Sequence, residues 1–175
     1  MIEKLTHAVV DVLGSESLSA HDKRQRMEEL VYAAIDFETL SRLVLARNWS
    51  RFTPEQRQEF VRQFREHLSL TYGKNLESYK NERIAIESER EEPGGDWTVK
   101  SRILRGGAND ILIDYRLRKT GDQWEIIDFI IERISLVANY RAQFQDILSS
   151  STPEKLLQLL RDKNERGDPL KAPKA

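Results

Sequence analysis

The apolar residues of this chain change period twice, and no single type of secondary structure can satisfy both periods. Up to Tyr72 they recur every three or four residues, from Ile84 to Ile134 they mostly alternate, and from Leu136 the helical spacing returns. A helix buries a stripe of period 3.6 and a half-covered strand buries every second residue, so the chain must be α+β.

The first stretch divides into four helices. Ile2, Leu5, Val9, Val12 and Leu13 make one stripe, broken by Gly14, and Met27, Leu30, Val31, Ala34 and Ile35 make the next. Asp36 can cap a third helix carrying Leu40, Leu43 and Val44. The fourth has Thr53 as N-cap, Pro54 in the first position and Gln56 placed to close a capping box. Its apolar face is Phe60, Val61, Phe64, Leu68 and Tyr72, and Gly73 is expected to end or kink it.

The alternating stretch reads as a four-stranded antiparallel meander. A short strand holds Ile84 and Ile86, then Glu92-Pro93-Gly94-Gly95 turns the chain. Trp97, Val99 and Ile103 alternate with Thr98, Lys100 and Arg102. After Gly106-Gly107, Ile111, Ile113, Tyr115 and Leu117 alternate with Asp114, Arg116 and Arg118. Gly121-Asp122 leads into a fourth strand from Trp124 to Ile134. Two helices follow, about Leu136 to Leu148, and after Thr152-Pro153 one with Leu156, Leu157, Leu159 and Leu160. The whole is expected to be one domain over residues 1–167, with 168–175 a charged, fraying tail.

One strand breaks the alternation. Ile126, Ile127, Phe129, Ile130 and Ile131 place apolar groups on both faces. Such a strand lies under helices on both sides, or one of its sides lines an apolar cavity.

Composition removes several functions. Lys plus Arg number 28 against 29 Asp plus Glu, a net charge of -1, so there is no basic excess to hold nucleic acid. Cysteine is absent, which removes disulfides, thiolate catalysis and thiolate metal sites. The N-terminus lacks a basic stretch followed by an apolar one, and no run is long enough for a membrane span. His7, His21 and His67 stand singly on helices without metal-binding spacing, and are read as surface or half-buried residues. There is no GxSxG elbow, and the paired glycines sit between strands, not before a helix, so a catalytic serine and a phosphate loop are both missing. No cofactor, metal or catalytic residue is therefore expected. The sharpest catalytic arrangement is Asp114 and Asp128 on neighbouring strands with Glu132 nearby, as a small isomerase or cyclase would need. The structural alternative is an ion pair, with Asp114 beside Arg116 and Arg118 and Asp128 against an arginine such as Arg141.

Two segments carry a family resemblance. One runs Leu43-Val44-Leu45-Ala46-Arg47-Asn48-Trp49-Ser50-Arg51-Phe52-Thr53-Pro54-Glu55-Gln56-Arg57, continued by Phe60, Phe64, Leu68 and Tyr72. The other joins Asp114-Tyr115-Arg116-Leu117 and Trp124-Glu125-Ile126-Ile127-Asp128 to the stretch from Ile131 to Phe144, with Ser135-Leu136-Val137-Ala138-Asn139-Tyr140-Arg141-Ala142-Gln143-Phe144 its most specific piece. Over about Asp36 to Lys163 the chain resembles the MlaC family, the toluene-tolerance family of periplasmic lipid carriers. It departs at Arg133, where the family has glycine after the glutamate.

The resemblance implies a phospholipid carrier of the periplasm, in mature form without its signal peptide, that helps keep the outer membrane asymmetric. It also implies partners: an inner-membrane ABC transporter with an MCE-domain ring, and an outer-membrane lipoprotein–porin complex. Contact with the membranes would be transient. A hopanoid-like lipid is the nearest competing ligand. Exposing two acyl chains of about sixteen carbons to water costs on the order of 20 kcal/mol, so a carrier must enclose them while the head group stays wet. The expected walls of such an apolar cavity are Phe60, Phe64, Leu68, Tyr72, Val99, Ile103, Ile113, Tyr115, Ile127, Phe129, Ile131, Val137, Tyr140 and Phe144.

Overall fold

The computed structural model describes residues 1–76, 83–105, 109–168 and 170. The Gly106-Gly107 turn lies outside the described residues, as does most of the tail. The chain forms two compact units, one of Met1–Asp36 with Lys74–Ser135, the other of Phe37–Gly73 with Leu136–Lys174.

The first, the sheet unit, begins with α1 (Ile2–Gly14) and α2 (Ala20–Ala33). Ser19 starts α2 by accepting the Asp22 N–H at 3.2 Å and donating to the Asp22 carboxylate at 2.7 Å. Strands β1 (Arg83–Glu91), β2 (Trp97–Leu104), β3 (Ile111–Thr120), β4 (Gln123–Ile131) and β5 (Ile134–Ser135) pair antiparallel in chain order. The sheet thus has five strands instead of the expected four. What alternation presents as one strand from Trp124 to Ile134 is cut at Glu132 and Arg133, whose φ angles are +48° and +68°. That turn folds Ile134 and Ser135 back against Ile131 and Ile130. Two residues are too few to show a period, and a turn of this hand normally announces itself with glycine or asparagine. Glu132 secures it by donating its N–H to the Leu112 carbonyl oxygen at 3.0 Å and accepting the Leu112 N–H on Oε1 at 2.8 Å.

Strand β1 is longer than the pair Ile84 and Ile86 implies, and its second half is exposed and charged. That composition suits a sheet edge, where charge discourages pairing with another strand. On the far side of the sheet, Ile126 of β4 donates to the Ala34 oxygen at 2.8 Å and accepts the Asp36 N–H at 3.1 Å, so the chain leaving α2 covers part of that edge.

The second, the helical unit, holds α3 (Phe37–Leu45), a 3₁₀ turn (Ala46–Arg51), the residues to Gly73 of α4 (Pro54–Leu76), α5 (Leu136–Ser149) and α6 (Pro153–Glu165). The expected capping box is formed: the Gln56 N–H donates to Thr53 Oγ1 at 3.3 Å and the Thr53 N–H to Gln56 Oε1 at 2.9 Å. Helix α4 runs on through Gly73 to Leu76, because one glycine costs a helix only about 1 kcal/mol. Arg51 fastens the 3₁₀ turn to the end of α5, donating to Asn48 Oδ1 at 3.0 Å, the Leu148 oxygen at 2.9 Å and the Ser151 oxygen at 3.1 Å. Of the described tail, Asp168 pairs with Lys163 at 2.7 Å, and the Leu170 N–H donates to His67 Nε2 at 3.1 Å.

Candidate functional site

In the sheet unit, strand register decides which side chains share a face. Trp97, Val99 and Ile103 lie opposite Leu117, Tyr115 and Ile111. Tyr115 in turn lies opposite Phe129, Ile113 opposite Ile131, and Leu117 opposite Ile126. These pairs make one continuous apolar face, and they explain the broken alternation of β4. Arg116 pairs with Asp128 while Leu117 pairs with Ile126, so Ile127 is the extra residue of a β-bulge. The bulge resets the phase, placing Ile126, Phe129 and Ile131 together and sending Asp128 and Ile130 to the other face. The strand is less two-sided than its sequence implies.

Ile2 of α1, with the partly buried Leu5, Ala34 and Ile35, packs on this face against Val99, Tyr115, Leu117 and Ile126. Part of the face stays open as a cleft of about 310 Å³, lined by Met1, Ile2, Glu3, Ile86, Glu89, Trp97, Val99, Leu117 and Trp124. Trp97 and Trp124 meet edge to face at 6.2 Å, and Tyr115 and Phe129 at 5.7 Å. Of the candidates here, Val99, Ile103, Tyr115 and Ile127 are buried, whereas Ile113, Phe129 and Ile131 are half-buried.

The remaining candidates stand in the helical unit. Spacing of four along α4 stacks Phe60, Phe64, Leu68 and Tyr72 on one side, and Val137, Tyr140 and Phe144 form a stripe of α5. Phe60, Phe64, Tyr140 and Phe144 have no accessible surface. Their rings interlock, with centroids 5.5 Å apart for Phe60–Phe144, 5.1 Å for Phe64–Tyr140 and 5.6 Å for Phe64–Phe144. The Tyr72 and Tyr140 hydroxyls are buried beside each other and, like that of Ser41, make no well-aligned hydrogen bond among the described residues. Burial raises the pKa of Tyr72 far above its ordinary value, helped by the adjacent Tyr140, and burial likewise raises that of Tyr140.

His67, expected at or near the surface, is fully buried in this stripe. Its Nε2 accepts the Leu170 N–H, so Nδ1 carries the proton and donates to Asn164 Oδ1 at 3.2 Å. Asn164 then donates to the Gln63 carbonyl oxygen at 2.9 Å. Burial holds the imidazole pKa below its ordinary value, opposed by the bond to Asn164 and reinforced by Lys163. Its position three residues after Phe64 was the available signal, since that step stays on the apolar side.

The carboxylates of the sheet's polar face each meet neighbours within the sheet. Asp114 lies opposite Lys100; burial raises its pKa, Lys100 lowers it and Glu87 raises it. Asp128, 1% exposed, accepts the Ser135 hydroxyl at 2.6 Å and sits 3.8 Å from Arg116. Its arginine is thus Arg116, its cross-strand neighbour, while Arg141 donates to the Leu43 carbonyl oxygen at 2.9 Å and ties α5 to α3. Glu132 is engaged by the Leu112 backbone. Among the described residues, no three histidines or carboxylates gather as a metal site, and no helix is long and apolar enough to cross a membrane.

The family model for the MlaC protein matches residues 3–162. The chain belongs to the MlaC family. The match extends the expected range of likeness to the N-terminal helices. The chain is 24% identical over 123 residues to the toluene tolerance protein ttg2D of Pseudomonas putida. It is also 24% identical over 127 residues to the intermembrane phospholipid transport system binding protein MlaC of Haemophilus influenzae. Each match takes in 70% of this chain but only 57% and 59% of those proteins, so the chain spans under two thirds of the curated relatives' length. A solved structure from Ralstonia solanacearum, described as a phospholipid-binding protein in complex with a phospholipid, superposes with a TM-score of 0.84. That superposition covers 95% of this chain and 96% of the other at 24% identity, and speaks for a shared fold.

The cleft is also lined by residues that the sequence-based candidate set left out. Leu117 lines it on the same face as Tyr115, as their alternation implies. Trp124 joins the same face through its pairing with Lys119. Ile2 had no local signal, because only the packing of α1 on the sheet brings it to the cleft, whereas Ile86 comes with β1, opposite Ser101.

Proposed function

We propose that this chain is a soluble periplasmic carrier that encloses phospholipid acyl chains and moves lipid between the inner and outer membranes. The observation that carries the reading is the sheet's apolar face, which combines half-buried Ile113, Phe129 and Ile131 with an open cleft flanked by two tryptophans. Membership of the MlaC family supports the phospholipid as occupant, and so do the phospholipid-related names of two relatives. Residues 1–167 are taken as one carrier domain, and the fourteen wall residues named from the sequence remain the proposed lipid contacts. The partners that fit are an MCE-domain ABC transporter and an outer-membrane lipoprotein–porin complex, and the outcome is maintained outer-membrane asymmetry. An isomerase reading is weakened because Asp128 is engaged by Arg116 and Ser135.

The test is extraction of protein purified from a Gram-negative host, together with gentle native mass spectrometry. Phospholipid in near-stoichiometric amount is expected. Bare protein would overturn the reading, and a hopanoid in place of phospholipid would change the ligand while keeping the carrier.

A further inference from the structure

Within the helical unit, the chain that leaves α6 turns back onto α4, and His67 is where it is held. Past Glu165, Gly167 takes a φ of +62°, and its N–H and that of Asp168 donate to the Asn164 and Lys163 carbonyl oxygens, each at 3.0 Å. This left-handed helix end reverses the chain, and the Leu170 N–H reaches His67 Nε2 at 3.1 Å. The protonation of His67 follows from its partners. The Gln63 carbonyl oxygen can only accept, so Asn164 turns its Nδ2 toward it and its Oδ1 toward His67 Nδ1 at 3.2 Å. Nδ1 therefore carries the proton, and Nε2 offers its lone pair to a backbone N–H that can only donate. Only the neutral imidazole satisfies both neighbours.

We propose that the segment holding Gly167, Asp168 and Leu170 is an acid-released strap, pinned to α4 by neutral His67 and let go when the imidazole is protonated. A proton on Nε2 sets donor against donor and cancels the Leu170 bond. The groups around the ring do not welcome a cation. From α6 come Lys163 and the neutral Asn164, from α5 the Tyr140 phenol, its ring 5.8 Å away, and from the strap Asp168, whose carboxylate is taken by Lys163 at 2.7 Å. Among the described residues no carboxylate touches His67. Burial holds the imidazole pKa below 6.5, with the Asn164 bond opposing and Lys163 reinforcing, so the strap is fastened at neutral pH and loosens in acid. The Lys163–Asp168 pair does not hold Leu170 in its place, because the Asp168 side chain is 72% exposed and such pairs contribute little. The strap needs no ligand and stands apart from the carrier reading.

The experiment is amide hydrogen exchange on the full chain, followed by NMR from about pH 7.5 to about pH 4.5, each rate divided by that of an unstructured amide at the same pH. The His67 ring protons report its titration in the same samples. As His67 titrates, Leu170 should lose about tenfold in protection, the scale of one hydrogen bond. Asp168, bonded to the Lys163 oxygen, and Phe64 within α4 should keep theirs. His67→Gln puts an amide oxygen in place of Nε2 and cannot titrate, so its Leu170 should stay protected throughout. Leu170 protection that is unchanged in wild type after His67 has titrated would overturn the proposal. So would a fall that recurs undiminished in His67→Gln, or a His67 that stays neutral until Phe64 also loses protection. If His67→Gln does not fold, the wild-type contrast between Leu170 and Asp168 decides alone.

Discussion

The helical unit and the sheet unit bury the same kinds of residue in opposite ways. In the helical unit, Phe60, Phe64, Tyr140 and Phe144 lock ring against ring with no accessible surface. In the sheet unit, Phe129, Trp97 and Trp124 also meet ring to ring, yet each stays half-buried, and a cleft of about 310 Å³ opens on the same face. Aromatic content alone therefore does not identify a binding surface. What separates the two units is whether the rings exhaust one another's area.

The sharpest way to break this contrast is Phe64→Ala. Removing a fully enclosed ring should lower stability by about 3–5 kcal/mol, read as a fall in the urea midpoint, with or without lipid present. Phe129→Ala should cost only about 1–2 kcal/mol, because less of its area is buried, and the loss should be smaller still in loaded protein, where a flexible chain refills the space. Equal, large losses at both positions would erase the distinction and put Phe129 in the ordinary core.

A smaller effect, of opposite sign, belongs to the sheet unit. Arg133 sits at φ +68°, a region that favours glycine. Arg133→Gly should relieve strain but make the unfolded chain more flexible, for a net gain of about 0.5–1 kcal/mol in the same urea measurement. A loss would mean the arginine side chain does something its turn geometry does not reveal.

The last effect is a slope against pH, and it belongs to the helical unit. An unfolded imidazole takes up a proton near its ordinary value of 6.5, while burial makes folded His67 resist protonation until lower pH. The unfolded state thus binds more protons in that window, and the stabilising contribution present above pH 6.5 is lost as the pH falls. Unfolding followed between pH 7 and 5 should show this decline in wild type and a flatter profile in His67→Gln. An identical slope in the variant would move the effect to other groups.

Much of the fold was legible because it rests on local chemistry. Thr53 and Gln56 close their capping box wherever the chain goes, and alternation from Trp97 to Leu117 needs only a neighbouring strand and one covered face. The sequence by itself therefore determined the class, the helix starts, the antiparallel order and the family, since period, caps and motif spacing are properties of short segments. The tertiary structure alone decided the bulge at Ile127, the left-handed turn at Glu132 and Arg133, the choice of Arg116 for Asp128, the burial of His67 and the residues that complete the cleft. Each of these depends on which groups from distant positions arrive within a few ångströms. Such arrivals follow from register and packing, which no single segment encodes.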